Sequence, residues 1–114
     1  MERVGIFGGT FDPPHRAHLA VAHAALAELQ LNRLVWIPAA RSPHKEDDEP
    51  TDAEHRVAMT RCMVAQDPRF DLDLGEIEAG GLSFTVDTLQ RLMDAHADWR
   101  LWLIIGQDQF DALP

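Results

Sequence analysis

The chain has 114 residues, of which 46% are apolar and 25% charged, with a single cysteine and a net charge of −9 at pH 7. One cysteine excludes an internal disulfide, and no apolar run approaches the roughly 20 residues needed to cross a bilayer. The acidic balance argues against a general nucleic-acid binder.

The distribution of charge says more than its total. Residues 1–45 carry five Arg/Lys and three Asp/Glu, net +2, whereas residues 46–114 carry five and sixteen, net −11. The basic share suits an anionic small molecule, and the acidic share suits solvated surface. The length supports one domain over residues 1–114 with a single core, expected in the cytoplasm.

In chain order, Val4 to Phe7 is an apolar run that reads as a buried strand and stops at Gly8-Gly9. A Pro13-Pro14 turn follows, and from His18 to about Leu31 the apolar positions Leu19, Ala22, Leu26 and Leu29 repeat with helical period. Leu34 to Ile37 is a second strand, ended by Pro38. Residues 39–50 form a loop that closes on an acidic run, to which no chemistry is assigned. Thr51 and Glu54 have capping-box spacing and open a helix running to about Gln66, with Cys62 expected among its buried small residues Ala58 and Ala65. Phe70, Leu72 and Leu74 alternate with Asp71 and Asp73 as a half-exposed strand would.

After a Gly80-Gly81 turn, Ser83 or Thr85 can cap a helix whose stripe includes Val86, Leu89, Leu92 and Met93. Leu101 to Ile105 is an unbroken apolar strand meeting Gly106. Strands separated by helices imply an α/β fold, a parallel sheet with right-handed crossovers, whose ligands bind beyond the carboxyl ends of the strands. Three such ends carry glycine or polar signals: Gly8-Gly9-Thr10, Arg41 to Lys45, and Gly106-Gln107-Asp108.

His15 and His18 fall where the first strand gives way to a helix. Residues three apart on a helix face the same way, with Cβ atoms about 5–6 Å apart. A helix start also offers unpaired N–H groups and partial positive charge, a natural place for phosphate. Either a Gly-Gly pair or a histidine near a helix start is ordinarily just a turn or a cap, but the ordered combination is far more specific. A Walker-type phosphate loop is excluded, since no G-x-x-x-x-G-K-[ST] occurs, and Gly5, Gly8 and Gly9 do not make the dinucleotide fingerprint G-x-G-x-x-G. A metal role for the histidines lacks a nearby cysteine or a third ligand at useful spacing.

The segment GGTFDPPHRAHL, residues 8–19, resembles the G-x-F-D-P-x-H-x-G-H signature of small α/β nucleotidyltransferases, with Ala17 where the family usually has glycine. Ile37-Pro38 through Ser42-Pro43-His44-Lys45, Ser83 to Leu89, and Ile104 to Asp108 resemble blocks of the bacterial nicotinate-mononucleotide adenylyltransferases. The resemblance implies a Rossmann-like open parallel sheet with helices on both faces, and adenylyl transfer from ATP to nicotinate mononucleotide, giving deamido-NAD and pyrophosphate, with magnesium accompanying ATP.

It implies catalytic roles for His15 and His18. ATP and phosphate contacts would come from Gly8, Gly9, Thr10, Phe11, Asp12, His44 and Lys45, and nicotinate-nucleotide contacts from Thr85, Gly106 and Asp108. On the residues alone, His44-Lys45 also reads as a solvated basic pair, Thr85 as an N-cap and Asp108 as a turn residue. Phe84 replaces a common tyrosine of the family. Family features expected beyond Pro114 are a ring-stacking tryptophan, the last strand and helices, and an ATP-gripping arginine. A shortened chain is therefore expected, with two further readings: an impaired nucleotide-binding or interaction module, and a transferase for another phosphate substrate. Strand 101–105 is then expected at a sheet edge, favouring homo-oligomers.

Overall fold

The structure is a computed structural model, and it describes residues 2–9, 11, 14–39, 53–79 and 85–104. Four strands, β1 (Glu2–Gly9), β2 (Arg33–Pro38), β3 (Phe70–Leu72) and β4 (Trp99–Ile104), alternate with helices α1 (Arg16–Glu28), α2 (Ala53–Val64), α3 (Gly75–Ala79) and α4 (Thr85–Ala95). The sheet order is β3-β2-β1-β4 and every pairing is parallel. In register, Ile6 stands opposite Val35 on one side and Leu103 on the other, and Leu34 opposite Phe70. The carboxyl ends of all four strands therefore lie along one edge.

Alternation along the strands divides the core in two. On one face Phe7, Leu34, Trp36 and Phe70 pack with Ala22, Ala25 and Leu26 of α1, and with Met63 and Val64 of α2 at the margin. On the other, Val4, Ile6, Val35 and Ile37 pack with Leu92, bordered by Leu89, Trp99 and Leu101. Helices thus cover both faces of an open parallel sheet, the expected α/β architecture. Arg33 on β2 reaches Glu2 on β1 and Asp71 on β3, clamping three strands near their amino ends.

The first helix is held at its far end by Arg3, whose guanidinium donates to the carbonyls of Leu29 at 2.6 Å and Gln30 at 3.1 Å. Those are the carbonyls a helix leaves unpaired. Gln30 takes a left-handed conformation, φ 52°, and turns the chain back toward β2.

Three details depart from the sequence reading. Cys62 is exposed, not buried, because α2 turns Arg56, Thr60 and Met63 inward instead of its alanines. Strand β3 ends at Leu72, two residues early. The Asp73 carboxylate accepts the Gly75 N–H at 2.9 Å and starts the short helix α3, which the sequence pattern did not indicate. Met93, expected in the buried stripe of α4, is 54% exposed. Strand β4 lies at the sheet edge among the described residues, with Leu103 exposed. No helix among them is long and apolar enough to cross a membrane.

Candidate functional site

The site grows from the carboxyl end of β1. Gly9, its last residue, accepts a 2.8 Å hydrogen bond from the Ala39 N–H just past the end of β2, so both strand exits are tied together. The chain then turns through Phe11, which sits in the left-handed region at φ 51°. Its ring is buried and folds back over Gly9, lying 3.2 Å from where a Cβ would stand. A non-glycine residue in that region is uncommon and carries a cost. Here the surrounding rings hold it, with Phe7 at 5.4 Å, Trp36 at 5.3 Å and His18 at 5.1 Å between centroids.

His15 is the N-cap of α1, outside the helix in extended backbone, and His18 is its third helical residue. They meet through reciprocal capping, not through neighbouring positions on one helix face. The His15 Nδ1 accepts the Ala17 N–H at 3.2 Å, and the His18 Nδ1 accepts the His15 N–H at 3.0 Å. This is the geometry that Ser or Thr with Glu ordinarily supplies. The two rings stand 4.1 Å apart, tilted by 37°. His15 is exposed, whereas His18 is half-buried against Phe7 and Phe11.

This geometry has a chemical consequence. A nitrogen that accepts an N–H bond carries no proton, so each neutral ring holds its proton on Nε2. Ring geometry turns Nε2 away from the backbone that Nδ1 faces. In that tautomer Nε2 is the donor nitrogen of each ring. That turn contains no acidic residue, whereas α2, α3 and α4 each begin with at least one carboxylate. The positive end of α1 is therefore left uncompensated within its own helix, as an anion site requires.

The structure brings His15, His18, Gly8, Gly9 and Phe11 together at one corner of the sheet. The Phe11 ring belongs to the core, so the phosphate contact expected of Phe11 is one through its backbone N–H. Thr85 is the first residue of α4, which runs back to β4, so its start lies toward the same strand-end edge. Thr10, Asp12, His44, Lys45, Gly106 and Asp108 lie outside the described residues. Sequence reasoning missed Arg56, buried on α2, whose Nη1 donates to the Ala39 carbonyl at 2.7 Å. Its only signal was an arginine four residues before Thr60 on the face of α2 that turns inward.

Two glycines closing a central parallel strand, followed by a helix start that holds paired imidazoles and no carboxylate in its first turn, belong to an α/β protein of the Rossmann-like type. The chain belongs to the cytidylyltransferase-like family, whose model matches residues 6–113. It is 40% identical over its whole length to the nicotinate-nucleotide adenylyltransferase of Bacillus subtilis and 42% identical to a probable nicotinate-nucleotide adenylyltransferase of Geobacillus thermodenitrificans. It covers 60% and 53% of those proteins respectively, so it spans little more than half the length of these relatives. Among solved structures, Plasmodium falciparum nicotinic acid mononucleotide adenylyltransferase complexed with NaAD superposes with a TM-score of 0.80 at 19% identity, over 98% of this chain and 55% of that one. At that identity the likeness is one of fold.

Proposed function

We propose that the corner built from Gly8, Gly9, His15 and His18 transfers the adenylyl group of ATP to nicotinate mononucleotide, releasing deamido-NAD and pyrophosphate. The observation that carries the reading is the pair of Nδ1-anchored imidazoles at the start of α1, just past the glycine end of β1. The names of the relatives support the choice of acceptor.

The acceptor's phosphate oxygen forms a bond to the α-phosphorus of ATP, and the bond from that phosphorus to the bridging oxygen breaks, so that pyrophosphate leaves. A phosphate monoester is largely ionised at neutral pH, its second pKa being about 6, so no strong general base is needed. Catalysis then rests on positioning and on neutralising charge that shifts from the α-phosphoryl to the leaving group. The Nε2–H of His18, braced by Phe11, donates to the α-phosphoryl oxygens, and His15 donates to the neighbouring phosphates. Backbone N–H groups at the start of α1 and at the Gly8-Gly9 end of β1 complete the cradle, with Thr10, Asp12, His44 and Lys45 proposed as further phosphate contacts. Thr85, Gly106 and Asp108 are proposed for the nicotinate nucleotide.

Magnesium enters with the substrate as the ATP complex. Among the described residues no cluster of three or more His, Cys, Asp or Glu stands ready to hold an ion. Paired imidazoles suit zinc or copper better than magnesium. The setting is the cytoplasm, where ATP is supplied.

Replacing His18 with alanine tests the assignment. Loss of one donor to the transition state should lower kcat about 10²–10³-fold with little change in KM. A raised KM for either substrate with kcat intact would remove His18 from the chemical step. ATP binding with no pyrophosphate formed would instead select a module that binds nucleotide without turnover.

A further inference from the structure

The corner depends on a residue that does not itself belong to it. We propose that Arg56 is a positioning residue for the Gly8-Gly9 end of β1, acting through Ala39; the inference rests on the adenylyl-transfer reading of that corner.

Arg56 is 1% exposed, although a guanidinium is among the groups most costly to take out of water. An apolar side chain would fill the space between α2 and β2 more cheaply if filling were all that was needed. Among its contacts, the guanidinium donates to the carbonyl of Ala39 at 2.7 Å. Ala39 is the first residue beyond β2, and its own N–H is committed to the Gly9 carbonyl at 2.8 Å. One residue is therefore gripped from both sides, by the buried arginine on its carbonyl and by the end of β1 on its amide.

From Gly9 the contacts continue, because the Phe11 ring lies over Gly9 and also meets the His18 ring, 5.1 Å between centroids. The helical turn carrying Arg56 is fixed in its own right, since the buried Thr60 hydroxyl donates to the Arg56 carbonyl at 2.8 Å. Without the guanidinium, the Ala39 carbonyl loses that buried donor. The exit of β2 relaxes, and the Gly9 end of β1 loses the fixed partner that sets its distance from the histidines. A backbone shift of about 1 Å at such a point costs up to about 10²-fold in rate even though no reacting group has been removed.

The test compares wild type with Arg56→Met and Arg56→Lys by amide hydrogen exchange and by steady-state pyrophosphate release with the magnesium complex of ATP and nicotinate mononucleotide. The expected result for Arg56→Met is Ala39 exchange at least tenfold faster relative to the Val35 amide in the sheet, with kcat/KM for ATP down 10- to 100-fold. Arg56→Lys, which keeps one donor, should recover part of both. Two results would overturn the proposal: Ala39 exchange that merely follows Val35, or kcat/KM within twofold of wild type in both variants despite a lower melting temperature. Should Arg56→Met fail to fold, Arg56→Lys carries the same comparison. Absence of pyrophosphate from the wild type would sink the adenylyl-transfer reading alone, and Ala39 exchange would then decide the role of Arg56.

Discussion

Three glycines in one strand make a graded test of the packing. Gly5, Gly8 and Gly9 all lie in β1 with backbone angles that alanine accepts, so only the space for a methyl group differs. At Gly5 a Cβ would stand 2.5 Å from Leu34 Cδ1 and 2.7 Å from Leu31 Cδ1. That is about 1 Å inside ordinary carbon contact. Both leucines are buried in the core face shared with α1, so their methyl groups have little room to swing. Overpacking of this kind costs about 1–3 kcal/mol, offset by about 0.5–1 kcal/mol from the reduced freedom of alanine in the unfolded chain. The net for Gly5→Ala is about 1–2 kcal/mol, which lowers Tm by about 4–8 °C in a chain of this size.

At Gly8 the nearest atom to a Cβ is the Ile37 carbonyl oxygen at 3.9 Å, so Gly8→Ala should melt at or slightly above wild type. Gly9→Ala meets the Phe11 ring at 3.2 Å and should fall between the two, with a disproportionate loss of activity because Phe11 braces His18. Thermal melts followed by far-UV circular dichroism in one buffer give the order directly. A Gly5→Ala variant as stable as Gly8→Ala would refute the packing of β1 against Leu31 and Leu34.

Further substitutions separate structural from chemical roles. His15→Asn keeps a side-chain oxygen for the Ala17 N–H and should leave Tm nearly unchanged, while His15→Ala loses about 1 kcal/mol of capping; both should lose transfer activity to the same extent. Equal melting of the two variants would remove the capping role. Trp36 is fully buried among Phe7, Phe11 and Phe70, and its indole N–H has no hydrogen-bond partner among the described residues. Trp36→Phe should therefore cost less than about 2 kcal/mol by denaturant titration, since removing an unpaired donor offsets part of the lost packing; a loss above about 3 kcal/mol would show that the N–H is satisfied. The Arg69 guanidinium, bonded to both carboxylate oxygens, and the Arg69 backbone N–H hold Asp67 down to about 2 from an ordinary value of 3.8. Because the folded value is the lower one, the pair's contribution is present above about pH 4 and lost as pH falls toward 2. Asp67→Asn should cost about 1 kcal/mol at pH 7, and the difference from wild type should vanish on acidification. A gap that persisted at pH 2 would contradict the assignment.

The two central strands were legible because they are buried on both faces. Val4 to Phe7 and Leu34 to Ile37 read as continuous apolar runs, and a parallel sheet demands such runs. The helix that follows β1 was legible from its period, but its beginning was not. The sequence places both histidines within one helical turn, whereas the chain enters the helix after His15, and the imidazoles themselves make the cap. Capping by histidine has no distinctive sequence sign, since the residues that usually fill that position are Ser, Thr, Asp and Asn.

Short and polar features escaped for related reasons. The five residues of α3 are too few to show a period, and what starts that helix is a side-chain bond from Asp73. Alanine and cysteine discriminate weakly between inside and outside, so Ala58, Cys62 and Ala65 pointed to the wrong face of α2. The face that does turn inward carries Arg56 and Thr60, which no apolar pattern could announce. The strand-end residues from the second and fourth strands, His44, Lys45, Gly106 and Asp108, belong to the functional proposal through sequence alone.

Pyrophosphate release tests the central claim most directly. The chain is given the magnesium complex of ATP, with nicotinate mononucleotide present or absent, beside His18→Ala. Release that needs both substrates, yields deamido-NAD in equal amount and falls at least 10²-fold in the variant is the predicted result. Release that ignores the nicotinate nucleotide, survives loss of His18, or fails to occur in a folded sample would contradict it.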